Sequence, residues 1–179
     1  MKSIIVSLLI IAIFHNSLVS AADLPRQSEG YHYIVNKRSG LVMGVEDGPD
    51  RGRSNRDNLD VITQQRSNGA QYQQWDARYF RERGTKYYVF VARHSGKVLD
   101  VPELSKANGV QLIQYDYNGG ANQQFTVHDS DGAWSRIRNR HSGKYLDVRG
   151  DSERAGAAVV QNSRKSRNYM SQEWGFIKI

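Results

Sequence analysis

The amino-acid sequence predicts an all-β protein built from three similar units. Three times along the chain, a Ser-Gly pair is followed about thirty residues later by a Gln-x-aromatic triplet. The copies are Ser39-Gly40 with Gln73-Gln74-Trp75, Ser95-Gly96 with Gln123-Gln124-Phe125, and Ser142-Gly143 with Gln172-Glu173-Trp174. A repeat of this length indicates one supersecondary unit used three times. β-Branched and aromatic residues dominate the segments between turns, and no segment keeps a helical apolar period over three turns.

The first residues are typical of a secretory leader. Lys2 is followed by the apolar run 4–14 and then by small residues up to Ala22. This order describes a signal peptide over residues 1–22, and cleavage after Ala21 or after Ala22 fits equally well. The apolar run is too short for a membrane span, which needs about twenty apolar residues, and no later segment is apolar enough. We therefore expect a secreted, extracellular protein whose folded domain spans residues 23–179.

Composition limits the chemistry that the chain can perform. The 179 residues include no cysteine and carry a formal charge of +7. The lack of cysteine excludes disulfides, thiol catalysis and thiolate metal sites, so a hydrophobic core must stabilise the domain. The positive charge favours anionic partners without identifying one. No run of five or more like charges occurs, so a nucleic-acid partner is not expected.

Each unit is predicted to open with a β-hairpin around its Ser-Gly pair. The strand before the pair has an apolar centre at Ile34, Phe90 or Ile137, and alternation places these three residues on a buried face. The glycine of the pair can adopt the positive φ that tight hairpin turns require. The strands after the pair read Leu-Val-Met-Gly-Val, Lys-Val-Leu-Asp-Val and Lys-Tyr-Leu-Asp-Val.

A third strand and the Gln-x-aromatic triplet complete each unit. The third strands carry the apolar pairs Val61-Ile62, Leu112-Ile113 and Val159-Val160. Large aromatic residues that recur once per unit are predicted to fill the core, and the triplet glutamines are predicted to satisfy buried backbone groups. The three units span about residues 30–79, 84–129 and 130–179.

Two segments give the chain a family resemblance. Residues 139–148 read Asn-x-x-Ser-Gly-Lys-x-Leu-Asp-Val, and residues 118–125 read Asn-Gly-Gly-Ala-Asn-Gln-Gln-Phe. Together with the threefold triplets, they resemble the ricin B-chain type lectins over about residues 30–179. The resemblance implies a β-trefoil, with three repeats around a pseudo-threefold axis. Most members carry cysteines near these strands, and this chain has none.

The resemblance also implies where a sugar would bind. In that family each repeat can hold one shallow pocket, formed by an Asp after the hairpin, a stacking aromatic ring on the third strand, and Asn and Gln in the closing segment. The second repeat matches fully, with Asp100, Tyr115, Asn122 and Gln123. The third repeat keeps Asp147 and Gln172, a weaker second site, but has Asn162 and Ser171 at the other two positions. The first has Gly44 in place of the Asp and Gln64 in place of the ring. Galactose or N-acetylgalactosamine is the implied ligand.

Other interpretations of the same residues remain open. Asp100 and Asp147 could instead bond backbone amides where a strand meets a loop. A basic surface comprising Arg136, Arg138, Arg164, Lys165 and Arg167 would suit a heparin-like sulfated glycan or a receptor. The charged loop 46–60 is the feature that a trefoil protease inhibitor would use, on fold analogy alone.

Catalysis and metal binding are not expected. The sequence has no nucleophile-elbow serine, no His-Glu-x-x-His and no Gly-rich phosphate loop. His94 and His141 occupy equivalent positions beside their turns, where a solvated role is more common than a metal pair. We therefore expect a protein that is not an enzyme and needs no cofactor or metal.

Overall fold

The computed structural model describes residues 24–46 and 59–179. Its regular structure consists of β-strands and single 3₁₀ turns, so the all-β prediction is confirmed. The strands are β1 (Gln27–Asn36), β2 (Val42–Val45), β3 (Ile62–Gln65), β4 (Trp75–Glu82), β5 (Thr85–Ala92), β6 (Val98–Asp100), β7 (Val110–Gln111), β8 (Ile113–Tyr115), β9 (Phe125–Asp129), β10 (Ser135–Asn139), β11 (Tyr145–Val148), β12 (Val159–Asn162) and β13 (Trp174–Lys178). The 3₁₀ turns are Gln71–Gln73, Pro102–Leu104, Ala121–Gln123, Arg149–Asp151 and Tyr169–Gln172. The predicted leader and most of the loop 46–60 lie outside the described residues.

Antiparallel pairing closes six of the strands into a barrel. β1 pairs β4, β4 pairs β5, β5 pairs β9, β9 pairs β10, β10 pairs β13, and β13 returns to β1. The remaining hairpin partners are β2 with β3, β6 with β8, and β11 with β12. A six-stranded barrel with one further strand pair per repeat is the β-trefoil that the family resemblance implies.

The Ser-Gly pairs form the predicted hairpin turns. In each turn the amide of the last strand residue donates to a carbonyl five residues on, with 2.8 Å between N and O at Asn36, Ala92 and Asn139. Gly40, Gly96 and Gly143 have φ of +68°, +72° and +71°, so all three adopt the left-handed backbone that glycine allows.

The barrel interior contains the residues predicted for it. Trp75, Phe125 and Trp174 are fully buried, as are Ile34, Phe90 and Ile137. The indole Nε1 of Trp75 donates to the Met43 carbonyl at 3.0 Å, and that of Trp174 donates to the Leu146 carbonyl at 3.2 Å. Each buried aromatic or aliphatic side chain stabilises the fold by about 1.5–3 kcal/mol, which supplies the stability that disulfides provide elsewhere.

A second set of glutamines links the repeats to one another. The turn serines Ser39, Ser95 and Ser142 donate to the side-chain oxygens of Gln64, Gln114 and Gln161 at 2.7, 2.8 and 2.7 Å. The amide nitrogens of these glutamines then bond to loops of a different repeat. Gln64 reaches Ser152 and Arg154, Gln161 reaches Ser105 and Ala107, and Gln114 reaches Asp60. We call these three pairs the Ser–Gln links.

Candidate functional site

The second repeat places a buried carboxylate at the end of β6. Asp100 is only 3% exposed. Asn122 Nδ2 lies 3.1 Å from each carboxylate oxygen, and Gln123 Nε2 donates to Oδ2 at 2.7 Å. A carboxylate offers about four lone-pair directions, so these three contacts leave acceptor capacity on Oδ1. Among the described residues, the hydrogen-bond partners of this carboxylate are side-chain amides.

Both amide donors are fixed by the turn that contains them. Asn122 Nδ2 also donates to the Val101 carbonyl at 3.1 Å. Gln123 accepts from the Asn118 amide at 2.9 Å and donates to the Asp116 carbonyl at 2.9 Å. Gln73 and Gln172 make the equivalent backbone bonds in their repeats, which confirms the prediction for the triplet glutamines. The two amide groups that donate to the carboxylate are therefore fixed in orientation by their bonds to the backbone.

The environment changes the acidity of Asp100. Burial raises the pKa of its carboxyl group above the ordinary value of 3.8, and the hydrogen bonds from Gln123 and Asn122 offset only part of that rise. A desolvated, ionised carboxylate with an unused lone pair is a strong acceptor for hydroxyl groups.

Asp100 opens into a cleft of about 520 Å³. The cleft is lined by Leu59, Asp100, Pro102, Glu103, Leu104, Ile113, Tyr115, Asn118, Gly120 and Asn122. The lining combines polar groups, which include two carboxylates and two asparagines, with aliphatic and aromatic groups. Tyr115 ends β8 opposite Val98, so its ring lies on the strand next to the carboxylate. Mixed linings of this kind are typical of small-molecule sites.

Two exposed leucines form the apolar rim of this cleft. Leu59 is 63% exposed and Leu104 is 56% exposed. Both have left-handed backbone, with φ of +74° and +52°. Non-glycine residues rarely adopt this conformation, which costs on the order of 1 kcal/mol or more each. The fold therefore holds two large apolar side chains at the cleft mouth despite unfavourable backbone and solvent exposure.

In the third repeat the equivalent carboxylate, that of Asp147, forms an ion pair with a lysine of the same chain. Asp147 is fully buried and accepts from Asn162 at 2.9 Å and from Gln172 at 3.2 Å. Lys165 Nζ lies 2.9 Å from Oδ2 and 3.2 Å from Oδ1 of Asp147. The ammonium also bonds to Asp151 and to Ser171 Oγ, so it fills the position at which Asp100 faces open space.

The charges of this cluster reinforce one another. Burial lowers the pKa of Lys165, but hydrogen bonds and charge from Asp151 and Asp147 outweigh it, and the net pKa is raised above 10.5. Burial likewise raises the pKa of Asp151, but Lys165 and Ser171 outweigh it, and the net pKa is lowered below 3.8.

The two repeats share one turn with different chemistry. Glu103 and Leu104 in Pro102–Leu104 have φ of +56° and +52°, and Gly150 and Asp151 in Arg149–Asp151 have φ of +64° and +54°. In the third repeat the last residue of the turn directs a carboxylate to Lys165. In the second repeat the same position presents the leucine rim.

In the first repeat, Gly44 stands where the other repeats have the buried Asp. The residue predicted at the position of the aromatic ring was wrong by one. Strand register pairs Val42 with Gln65 as it pairs Val98 with Tyr115, so Gln65, not Gln64, stands at that position. The Gln65 amide group fills the space beside Gly44, where an added Cβ would lie 2.9 Å from Gln65 Oε1. Gln73 Nε2 donates to that oxygen at 3.0 Å, so an amide replaces the carboxylate as its partner.

The structure brings together the four residues predicted for the second repeat. Asp100, Tyr115 and Asn122 line one cleft, and Gln123 bonds to the carboxylate. The sequence did not single out Leu59, Leu104 or Asn118, although Asn118 lies within the segment that carries the resemblance. Leu59 belongs to the first repeat, so no motif within the second could have indicated it.

The five residues of the predicted basic surface differ in whether the protein itself engages their charged groups. Arg136 and Arg164 line a common cleft with Tyr169. Arg138 Nε donates to the Gly143 carbonyl at 2.9 Å, which braces the hairpin, and the Lys165 ammonium is engaged as described. Arg167 is exposed.

The ring nitrogen Nε2 of His141 lies 2.8 Å from the Leu104 carbonyl oxygen, so this histidine contacts the rim turn. Over residues 24–46 and 59–179, no group of three His, Asp or Glu side chains could hold a metal ion. Over the same ranges, no helix is long and apolar enough to cross a membrane.

The barrel and its amide-held carboxylate define the class of a β-trefoil binding domain. A family model described as "Ricin-type beta-trefoil lectin domain-like" matches residues 22–115 and 71–162, so the chain belongs to this family. The membership implies a carbohydrate-binding domain and points to a non-catalytic protein. A search of curated protein sequences gives no match.

Solved structures agree with the fold. The designed threefold-symmetric protein ThreeFoil is 36% identical with a TM-score of 0.73, over 84% of this chain and all of that one. 1,3Gal43A, an exo-β-1,3-galactanase from Clostridium thermocellum, is 35% identical with a TM-score of 0.73; the match covers 84% of this chain and 30% of the galactanase. The Macrolepiota procera ricin B-like lectin, solved with lactose, is 18% identical with a TM-score of 0.63, over 86% and 98% of the two chains.

Proposed function

We propose that this protein is a secreted lectin that binds galactose or N-acetylgalactosamine groups in the cleft of the second repeat. The observation that carries the proposal is the environment of Asp100: a buried carboxylate, held by two fixed amides, with acceptor capacity directed at an open cleft. Secretion rests on the leader-like residues 1–22.

Four of the lining residues have distinct roles in this binding. Asp100 accepts a hydrogen bond from a sugar hydroxyl through the lone pair left on Oδ1, and bonds to a charged acceptor are the strongest available to an uncharged ligand. The Tyr115 ring stacks on the C–H face of the pyranose with little entropy to lose. Asn118 and Asn122 add directional bonds that orient the sugar.

The names of two similar proteins support the choice of sugar. The galactanase from Clostridium thermocellum is named for β-1,3-galactan, and the Macrolepiota procera lectin was solved with lactose, a galactose-containing disaccharide. In the third repeat we propose that Asp147 and Gln172 bind no sugar, because the Lys165 ammonium contacts both carboxylate oxygens where a sugar hydroxyl would need an acceptor.

Calorimetric titration of galactose and N-acetylgalactosamine into wild type and Asp100→Asn tests the proposal. A single shallow cleft is expected to bind at about millimolar Kd, or roughly −4 kcal/mol. Each hydrogen bond to a charged group contributes about 1.5–3 kcal/mol, so the isosteric amide should weaken binding by roughly 100-fold.

The matched control is Asp116→Asn, which removes a carboxylate from the same repeat that pairs with Lys97 at the surface. It should bind both sugars as the wild type does. Unchanged affinity in Asp100→Asn, with Tyr115→Ala also unaffected, would show that sugars do not bind in this cleft.

A further inference from the structure

A second cleft, beside the third repeat, has the opposite electrostatic character. It measures about 430 Å³ and is lined by Arg136, Arg164, Lys165, Ser166 and Tyr169, with no carboxylate among them. Arg136 projects from β10, and the other four belong to the segment between β12 and β13. We call it the arginine cleft.

The two arginines of this cleft are not neutralised by the protein. Lys165 is satisfied by Asp147 and Asp151. By contrast, within residues 24–46 and 59–179 neither Arg136 nor Arg164 forms an ion pair or a side-chain hydrogen bond. The cleft therefore presents two positive charges that form no ion pair with the protein, although both arginines also line an adjoining cavity that contains Asp129 and Glu173.

Arg136 is also partly withdrawn from water. Its Nε and Nη1 atoms are buried without a hydrogen-bond partner, and its guanidinium carbon lies 4.7 Å from the centre of the Tyr169 ring. A buried donor without a partner carries a free-energy cost, and the cost is larger when the donor is charged. A partly desolvated cation also acts more strongly on a nearby anion than an exposed one. An anionic ligand would offset a cost that the free protein carries.

We propose that the arginine cleft binds a sulfated saccharide. Arg136 and Arg164 would take the sulfate ester, because planar guanidinium groups match tetrahedral oxyanions. Tyr169, which is 40% exposed, would stack on the sugar ring. The volume suits one or two sugar residues. A single aromatic ring does not form the stacking series that single-stranded nucleic acid requires, so a saccharide is favoured.

This inference is independent of the sugar cleft at Asp100 and can be tested separately. The probe is a heparin-derived tetrasaccharide, titrated calorimetrically into wild type and the double variant Arg136→Gln/Arg164→Gln. The charge-matched control is Arg81→Gln/Arg154→Gln, which removes two exposed arginines outside the cleft. We expect the cleft variant to bind at least tenfold more weakly and the control to lose less than about threefold.

Thermal unfolding gives a second measurement. The tetrasaccharide should raise the Tm of wild type and of Asp100→Asn equally, and should not raise that of the cleft variant. Intact sulfated-saccharide binding by Asp100→Asn would separate the two clefts, whether or not that variant binds galactose.

Three outcomes would overturn the proposal. Equal losses in the cleft variant and its control would mean that net charge alone attracts the probe. Equal affinity for a hyaluronan tetrasaccharide, which carries carboxylates only, would remove the assignment to sulfate. Equal affinity for single-stranded DNA of matched charge would replace the saccharide by a nucleic acid.

Discussion

The second and third repeats each hold a buried Asp in the same position but surround it with different groups. In both, a buried Asp follows the hairpin and accepts from the first glutamine of the triplet. Beyond its two amide donors, Asp100 lines a cleft with the Tyr115 ring and two leucines. Asp147 instead accepts from Asn162, Gln172 and the Lys165 ammonium.

The difference lies in whether the protein supplies a cation to the buried carboxylate. Lys165 turns the third-repeat Asp into half of an internal ion pair, so its charge stabilises the fold. Asp100 keeps its charge without a cation, at the cost of a raised pKa. The carboxylate to which we assign sugar binding is thus the one that the protein leaves without a cation.

The largest expected effect comes from removing the internal cation. Lys165→Ala leaves Asp147 buried without its partner, and breaking a buried pair should lower the free energy of unfolding by about 3 kcal/mol at pH 7. Urea unfolding measures this. Lys97→Ala is the control, since its partner Asp116 is 65% exposed and the loss should stay below about 1 kcal/mol.

The pH dependence of that loss has a definite window. The lowered pKa of Asp151 makes its contribution present above pH 3.8 and lost as pH falls through the folded pKa. The raised pKa of Lys165 makes its contribution present below pH 10.5 and lost as pH rises through the folded pKa. Wild type and Lys165→Ala should therefore converge at both extremes, and a constant gap would contradict the ion-pair account.

An intermediate effect is expected from titrating the second-repeat carboxylate. Because the folded pKa of Asp100 is raised, ionised Asp100 costs stability above pH 3.8, and that cost is relieved as pH falls. Galactose binding, which needs the ionised form, should weaken by about tenfold per pH unit below the raised pKa. Affinity titrations across acidic pH measure this.

Glu103 is the other acidic residue of the cleft and needs its own control. Glu103→Gln should keep the wild-type pH profile, whereas Asp100→Asn should bind weakly at every pH. If Glu103→Gln instead abolished the pH dependence of binding, the titrating group would be Glu103, and our assignment to Asp100 would be wrong.

The smallest effect concerns the leucine rim. An acetamido methyl group packed on Leu104 would contribute about 0.8 kcal/mol, so Leu104→Asn should lower the preference for N-acetylgalactosamine over galactose by about fourfold. Asparagine tolerates the left-handed backbone at this position. Leu59→Asn serves as the comparison for the opposite wall, and competition titration gives both ratios. Unchanged ratios in both variants would leave the rim without a role in this choice.

The sequence predicts what is local and misses what depends on tertiary contact. The hairpins and the buried triplet aromatics follow from alternation and from glycine conformation within each repeat. The assignment of Gln64 failed because two glutamines stand side by side in β3, and a one-residue slip exchanges the faces of a strand.

The sequence also could not predict which residues surround Asp147 and Asp100, because these contacts join distant parts of the chain. Lys165 lies 18 residues from Asp147 in an irregular segment, so no periodicity relates them. Leu59 belongs to the first repeat but lines the cleft of the second. Its backbone amide donates to the carbonyl of Gln114, a second-repeat residue, at 3.0 Å. Such contacts exist only once the three repeats have assembled.

The Ser–Gln links have a consequence for how the domain holds together. The glutamine of the first repeat donates to a loop of the third, that of the third donates to a loop of the second, and that of the second donates to Asp60 of the first. β1 and β13 pair side by side, so the chain ends meet where the cycle closes. The domain thus has no terminal repeat that can fray alone. Deleting any one repeat would deprive both others of a partner, so the sugar cleft exists only in the complete cycle.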